Sequence, residues 1–539
     1  MSFRYLIGHA HLPKAMQTPT TKTNRAPRRW FFVAGLILLI TIGLILAALS
    51  SHLAPLTRQW VIGALRERYD SDVEMGRFTV SFFPRIRATG EDVLFRHNGR
   101  KDVPPLISIK RFSADLGFLG LLSVPKRART VRLEGLQIHV PPPGEGGGTE
   151  HHPGKQGKSL PSFLVDEIIA DGTFLEILPK KAGKLPLTFD ISRLTLESVG
   201  ADRPMSFRAT LTNPKPPGQI QTTGEFGPWQ KEDPSLTAVS GNFTFQNADL
   251  SVFRGISGTL SSEGKYHGVL ERIEVQGSTD TPNFSVTISG HPVHLKTQYS
   301  AVVDGTNGDT RLEPVDARFL RSSVLADGKV AGTPGVKGKT VSLDVTVEKA
   351  RVEDLLRLAV RSSKPVLTGV INFKTKFVLP PGDRDIAEKL NLDGDFGIGA
   401  ARFTSLNLQQ KVDALSRKGK GDTDDEDDSP ESVASNFKGR FTLKNGIVSF
   451  SNLSFRVPGA SVHLNGNYGL RSEQLDFRGT LQLEAKVSET TTGIKSFLLK
   501  AVDPLFKKKG AGAVLPITIT GSREHPSFGL DIKRTLTRQ

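Results

Sequence analysis

Few residues of this chain are spaced for covalent chemistry. Gly338-Lys339-Thr340 has the ending of a phosphate-binding loop, but Thr333 stands where that loop requires its first glycine. The segment then runs into VSLDVTV, a strand pattern, where a helix N-terminus would have to receive the phosphate. His151 and His152 are adjacent within a glycine-rich stretch, a setting for solvated imidazoles and not for metal-ligand geometry. The acidic run Asp422 to Asp428 lacks the central glycine and the terminal glutamate of a calcium loop. There is no cysteine, so thiolate nucleophiles, thiolate metal sites and disulfides are excluded together. No HExxH, GxSxG or zinc spacing occurs. The expectation is a protein that is not an enzyme, with no catalytic residue, no metal and no cofactor.

What remains is apolar and interfacial chemistry. In IKSFLLKAVDPLF, residues 494–506, Ile494, Phe497, Leu498, Ala501, Val502, Leu505 and Phe506 follow helical spacing. Lys495 and Lys500 lie off that face, and Lys507, Lys508 and Lys509 follow it. A basic amphipathic helix of this kind lies on an anionic membrane surface, or docks on a sheet end with a solvated tail. The net charge of +16 makes nucleic acid the usual first thought. No basic stripe with interleaved aromatics supports it, so no nucleic-acid partner is expected, and an anionic membrane suits the charge better.

The membrane enters again at Trp30 to Leu49, WFFVAGLILLITIGLILAAL, which holds no charge and only Thr41 as a polar residue. At about 1.5 Å per residue it matches a hydrocarbon core. Arg4, Lys14, Lys22, Arg25, Arg28 and Arg29 precede it without any acidic residue. The positive-inside rule therefore places residues 1–29 in the cytoplasm and everything after 50 across the membrane. The competing reading is a cleaved signal peptide ending near Ser50, but the apolar run is longer than a signal core.

The elements that must carry any binding surface are mostly strands. With 53 Gly, 33 Pro and 31 Phe, the composition suits many short strands joined by turns. Residues 52–68 form a helical pattern, with Leu53, Leu56, Trp60, Ala64 and Leu65 on one face, packing on the first strands or capping an apolar cavity. The period then falls to two: Val73 and Met75, a phase slip at Gly76 like a β-bulge, then Phe78, Val80 and Phe82. Strands recur to the C-terminus, with hairpins expected at Asp171-Gly172 and Asn445-Gly446 and short helices at 352–360 and 409–416. Alternation over one face argues for an antiparallel sheet, and about 25 to 30 strands exceed what an open sheet carries without curling. The fold class is thus mainly β: a transmembrane helix, then a long curled antiparallel sheet forming a U-shaped groove, with a few short helices. Phe78, Val80, Ile107 and Ile109 are the candidates for lining its apolar trough.

The chain divides into a basic tail (1–29), a span (30–49), a first β region (50–143), a flexible linker (144–158), a middle β region (159–390) and a last β region (391–539). Residues 417–433 interrupt the last region, passing from RKGKG to DTDDEDDSPE, the composition of a solvated loop.

Two stretches resemble the AsmA-like family of bacterial envelope proteins. The first is the anchor and helix followed by DVEMGRFTVSFFPRIRATGEDVLFRH, PPLISIKRFSADLGFLGLL and VRLEGLQIHV. The second is LDGDFGIGAARFTSLNLQQKVDALSRKGKG with RFTLKNGIVSFSNLSF, VHLNGNYGL, LDFRGTLQL and LPITITGSREHPSFGLDI. The likeness covers the two ends, about half the chain. It implies a repeating β-groove related to bridge-like lipid transfer proteins, anchored in the inner membrane of a double-membraned bacterium with its bulk in the periplasm. Phospholipid is the implied ligand, and outer-membrane biogenesis the implied setting. The rival reading is a periplasmic scaffold for outer-membrane assembly that carries no lipid.

Overall fold

A computed structural model describes residues 71–530 apart from 82–84, 98–103, 118–125, 141–162, 179–185, 201–202, 231–232, 406–408, 411, 414, 417–432 and 485–513, together with 58, 59, 62 and 63. The span at 30–49, the linker at 144–158, the acidic loop at 422–432 and the basic helix at 494–506 lie outside the described residues. Among the described residues no helix is long and apolar enough to cross a membrane.

Among the described residues, twenty-five strands form one curled, half-barrel sheet. It begins with β1 (Ser71–Glu74), β2 (Phe78–Ser81), β3 (Ile86–His97), β4 (Ile107–Leu116), β5 (Lys126–Val140) and β6 (Phe163–Ile177). β7 (Leu187–Val199), β8 (Met205–Pro214), β9 (Pro217–Phe226) and β10 (Ala238–Asp249) follow. A two-residue β11 (Ile256–Ser257) sits beside β13, and the main ladder passes from β10 to β12 (Thr259–Val269). Next come β13 (Arg272–Val286), β14 (Val293–Val303), β15 (Thr310–Phe319), β16 (Ser322–Gly332), β17 (Lys339–Arg351), β18 (Leu367–Leu379) and β19 (Asn391–Phe403). The last six are β20 (Ser435–Lys444), β21 (Ile447–Val457), β22 (Ala460–Gly469), β23 (Gln474–Leu483), β24 (Val514–Ser522) and β25 (Pro526–Leu530).

Neighbours in the chain are neighbours in the sheet, because most connections are tight turns. Asn445 and Gly446 show the device: both have positive φ, and Lys444 pairs with Ile447. This is the mirror-image turn whose twist matches that of the strands it joins. Asp171-Gly172 does not make the hairpin expected of it. Both residues lie inside β6, where Gly172 has a positive φ (+68°) and the strand continues past it. β6 also runs parallel to β5, so the sheet is not purely antiparallel. A parallel step needs a long crossover connection, and the residues between the two strands, 141–162, lie outside the described residues.

A row of positive-φ residues runs along one margin of the sheet. Asp92, Gly135, Gly172, Asn247, Lys349, Ala400 and Asn452 all have positive φ. Each stands just before a resumed inward side chain, as where Ile398 is followed by Ala401 and Phe450 by Leu453. At Asn247, Lys349, Ala400 and Asn452 the register shifts as well, two residues taking the space of one, so the apolar phase shifts and both halves of the strand keep facing the same side. A bulge also bends its strand and increases the local twist. At Gly76, where the alternation slips, the amide donates to the Glu91 carbonyl (3.0 Å), beside Asp92.

Well-buried cores gather at the bulged margin of the sheet. Val347, Ala350, Leu367, Ile371, Ile398 and Ala401 form one with Val352 of helix α1 (Val352–Ala359). α1 is tied down by Asp354, whose carboxylate accepts from the Arg321 amide (3.0 Å) and the Ser322 hydroxyl (2.7 Å). The described residues of the expected 409–416 helix are helical, and Val412 packs on Val457, Ala460 and Leu483. Gly479 marks how closely the strands approach, since a Cβ there would stand 1.8 Å from the His463 carbonyl oxygen. Gly479→Ala should therefore destabilise the sheet by about 1–3 kcal/mol, read as a lower melting temperature by circular dichroism.

Candidate functional site

The concave face of the sheet carries a mostly apolar lining, broken in places by hydroxyl side chains such as Thr375. On β17 the inward residues are Val341, Leu343, Val345 and Val347. They pair in order with Leu379, Phe377, Thr375 and Phe373 of β18. The row continues into Leu392, Gly394, Phe396 and Ile398 of β19, then Leu443, Phe441, Gly439 and Phe437 of β20. From β7 to β24 no position in register with this face carries a charge. The charges stand on the convex face, in exposed cross-strand pairs such as Arg440–Asp393 (2.9 Å) and Arg87–Asp115 (2.7 Å). Hydrogen bonding to Asp115 raises the Arg87 pKa further above its usual value. Such pairs add little stability but keep that face wet.

Among the described residues the strands make one sheet, each packing against its neighbours in it. Leu343, Val345, Phe373 and Phe377 are half-buried, whereas Val347, at the bulged margin, is 1% exposed. The lining is flattened by aromatic rings lying over glycines of the adjacent strand. A Cβ at Gly90 would stand 2.1 Å from the Phe112 ring, and at Gly264 it would stand 2.7 Å from the ring of Phe243. The result is a smooth apolar trough with the dimensions of the sheet.

The four trough candidates fall at its first strands. Phe78, Ile107 and Ile109 pack, half-buried, against a cluster of Val73, Met75, Val93 and Phe95. Val80 is half-buried on the same face and pairs with Ala88. Ile62, from the helical pattern before β1, packs on that cluster too, and Arg58 donates to the Met75 carbonyl. At this end of the trough, then, the described helical residues Arg58 and Ile62 pack on the first strands. Phe497, Leu498, Lys500, Lys507, Lys508 and Lys509 lie outside the described residues.

The two margins of the sheet meet across the trough, an arrangement with no local sequence signal. The Ile386 amide, in the β18–β19 connection, donates to the Arg254 carbonyl after β10 (2.8 Å). Lys215 of the β8–β9 turn pairs with Asp383 (3.6 Å). Gly255 makes the close approach possible: its φ is +106°, and a Cβ would stand 2.7 Å from Asp385 Oδ1 and 2.9 Å from the Ile386 nitrogen. Asp385 caps the short helix α2 (Ile386–Lys389) through the Ala387 amide (2.8 Å) and pairs with Arg471 (3.1 Å). Burial, then the nearby Lys215 charge, lowers the Lys389 pKa. A second meeting brings Leu187 of β7 to Gly308 of the β14–β15 turn. Winding brings one margin of β7–β10 against the other margin of β14–β19, so the trough is bridged in its middle section.

No group of three or more His, Cys, Asp or Glu side chains among the described residues is placed to hold a metal ion. Among the described residues the arrangement is a continuous, mostly apolar surface. No family model, curated protein or solved structure matches this chain.

Proposed function

We propose that this chain is an inner-membrane-anchored, periplasmic AsmA-like protein that binds or conducts phospholipid along its trough and so supports outer-membrane biogenesis and lipid homeostasis. One observation carries the reading: a charge-free, mostly apolar face continuous from β7 to β24, on which side chains such as Leu343, Val345, Phe373 and Phe377 stay partly exposed. Exposed hydrocarbon on that scale is unfavourable in water, and an acyl chain laid on it removes both surfaces from solvent at about 0.8 kcal/mol per CH₂. Head groups would stay in water at the open side. The apolar segment at 30–49 and the basic residues before it support the anchor and its orientation. The sequence likeness at both ends supports the family, and the curled sheet is compatible with a β-groove.

The test is a mass-spectrometric lipid inventory of the full chain purified from membranes. Phospholipid in at least stoichiometric amount, retained after exchange into lipid-free detergent, is the expected result. A well-folded protein that retains none rejects lipid carriage and favours the scaffold.

A further inference from the structure

We infer that strands β9–β14 form a neutral hydrogen-bonding subsite within the trough, suited to the hydroxyl- or amide-bearing part of a lipid. The inference rests on the trough reading and specifies what one section of it holds. In this section hydroxyl groups interrupt the hydrocarbon lining, and one device builds the site twice. Tyr266 of β12 lies across Gly241 of β10, where a Cβ would stand 2.6 Å from the phenol oxygen, and reaches Thr222 Oγ1 of β9 at 2.6 Å. Tyr299 of β14 lies across Gly277 of β13, 2.7 Å from where its Cβ would be, and reaches Ser262 Oγ of β12 at 3.3 Å. Thr279 and Thr297 pair beside them at 2.6 Å.

The protons can be accounted for. Thr222 donates to the Asn242 carbonyl (2.9 Å), so Tyr266 must be the donor to Thr222. Ser262 donates to the Ser278 carbonyl (2.8 Å), so Tyr299 must be the donor to Ser262. Both phenol oxygens are left with acceptor capacity toward the trough, and one hydroxyl of the Thr279–Thr297 pair keeps a proton to give. Burial raises both tyrosine pKa values, so the phenols stay neutral. Acceptors without a cation suit a donor-bearing, uncharged group and not a phosphate. The two places where the sheet margins meet, Leu187 with Gly308 and Arg254 with Ile386, flank this section. A polar group held there is shielded from competing water, which strengthens its hydrogen bonds.

The test labels the full-length protein with two photoactivatable probes that share one diazirine acyl chain, a monoacylglycerol and the corresponding methyl ester. The monoacylglycerol should label peptides within 217–303 about tenfold more than the methyl ester, the worth of one or two hydrogen bonds. In Tyr266→Phe/Tyr299→Phe that preference should fall to about one. Thr222 and Ser262 keep their carbonyl acceptors in this variant, so folding should be unchanged by circular dichroism. Thr279→Val/Thr297→Val gives an independent loss from the same subsite. Equal labelling by the two probes, or a preference that survives both double variants, overturns the subsite while leaving the trough intact. Labelling of no strand by either probe rejects the trough and the subsite together.

Discussion

Leu343→Asp is expected to leave the chain folded and to abolish labelling by an acyl photoprobe along β17, whereas Val347→Asp on the same strand is expected to unfold it. Both side chains face the concave side. Their surroundings differ. Val347 is 1% exposed in a cluster with Ala350, Leu367, Ile371 and α1, so a carboxylate there has neither water nor a partner. An uncompensated buried charge costs several kcal/mol, comparable with the roughly 5–15 kcal/mol that holds a domain together. Leu343 is half-buried, between Gly328 of β16 and Phe377 of β18. A carboxylate at that position reaches solvent along the open side and repels an apolar ligand without disturbing the ladder. Circular dichroism and crosslinking yield separate the two outcomes. Unfolding of both variants would show that the face is a sealed core, as the scaffold reading requires. The same contrast should hold at the first strands, where Val80→Asp is tolerated and Val93→Asp, at 2% exposure, is not.

The second large effect is expected at the bridge between the margins. Gly255→Val places a branched side chain at φ +106° and drives its Cβ into Asp385 and the Ile386 backbone. The carboxylate can swing away, but the backbone nitrogen cannot. Positive φ alone costs an L-residue roughly 1–2 kcal/mol. Against this the bridge offers one backbone hydrogen bond, worth about 1 kcal/mol, and an exposed Lys215–Asp383 pair worth less. Strain exceeds attachment, so the margins should part. Amide exchange at Ile386 should rise by at least about tenfold, while the ladder amides of β17 and β18 keep their protection. If the bridge retains ligand, bound lipid should also leave faster. Unchanged protection at Ile386 would show that contacts other than these hold the margins together.

Much of this architecture is local, and local patterns are legible in a sequence. Alternation of period two located the strands, and helical spacing located α1 and the 409–416 segment, because each pattern depends only on which side of one element meets water. Asn445-Gly446 was readable for the same reason, since two consecutive residues with positive φ suffice to turn the chain. Asp171-Gly172 has equivalent local chemistry but sits inside β6, because a left-handed glycine can also be carried within a strand and the partner strands decide between the two. The parallel placement of β6 beside β5 likewise depends on where the chain returns after residue 162. The candidates Phe78, Val80, Ile107 and Ile109 could be given a face by alternation. Which of them share a cluster with Ile62 depended on its helix arriving from elsewhere.

The meeting of Arg254 with Ile386, and the reach of Tyr266 and Tyr299 across glycines to hydroxyls two strands away, have no signature in the order of residues. They arise from twist and bulges accumulated over many strands, each contributing a small rotation that no single segment encodes. By itself the amino-acid sequence determined a β-rich chain with one wet and one apolar face. The tertiary structure alone decided that the apolar face closes around a bridged trough with a polar section, because curvature is a property of the assembled sheet.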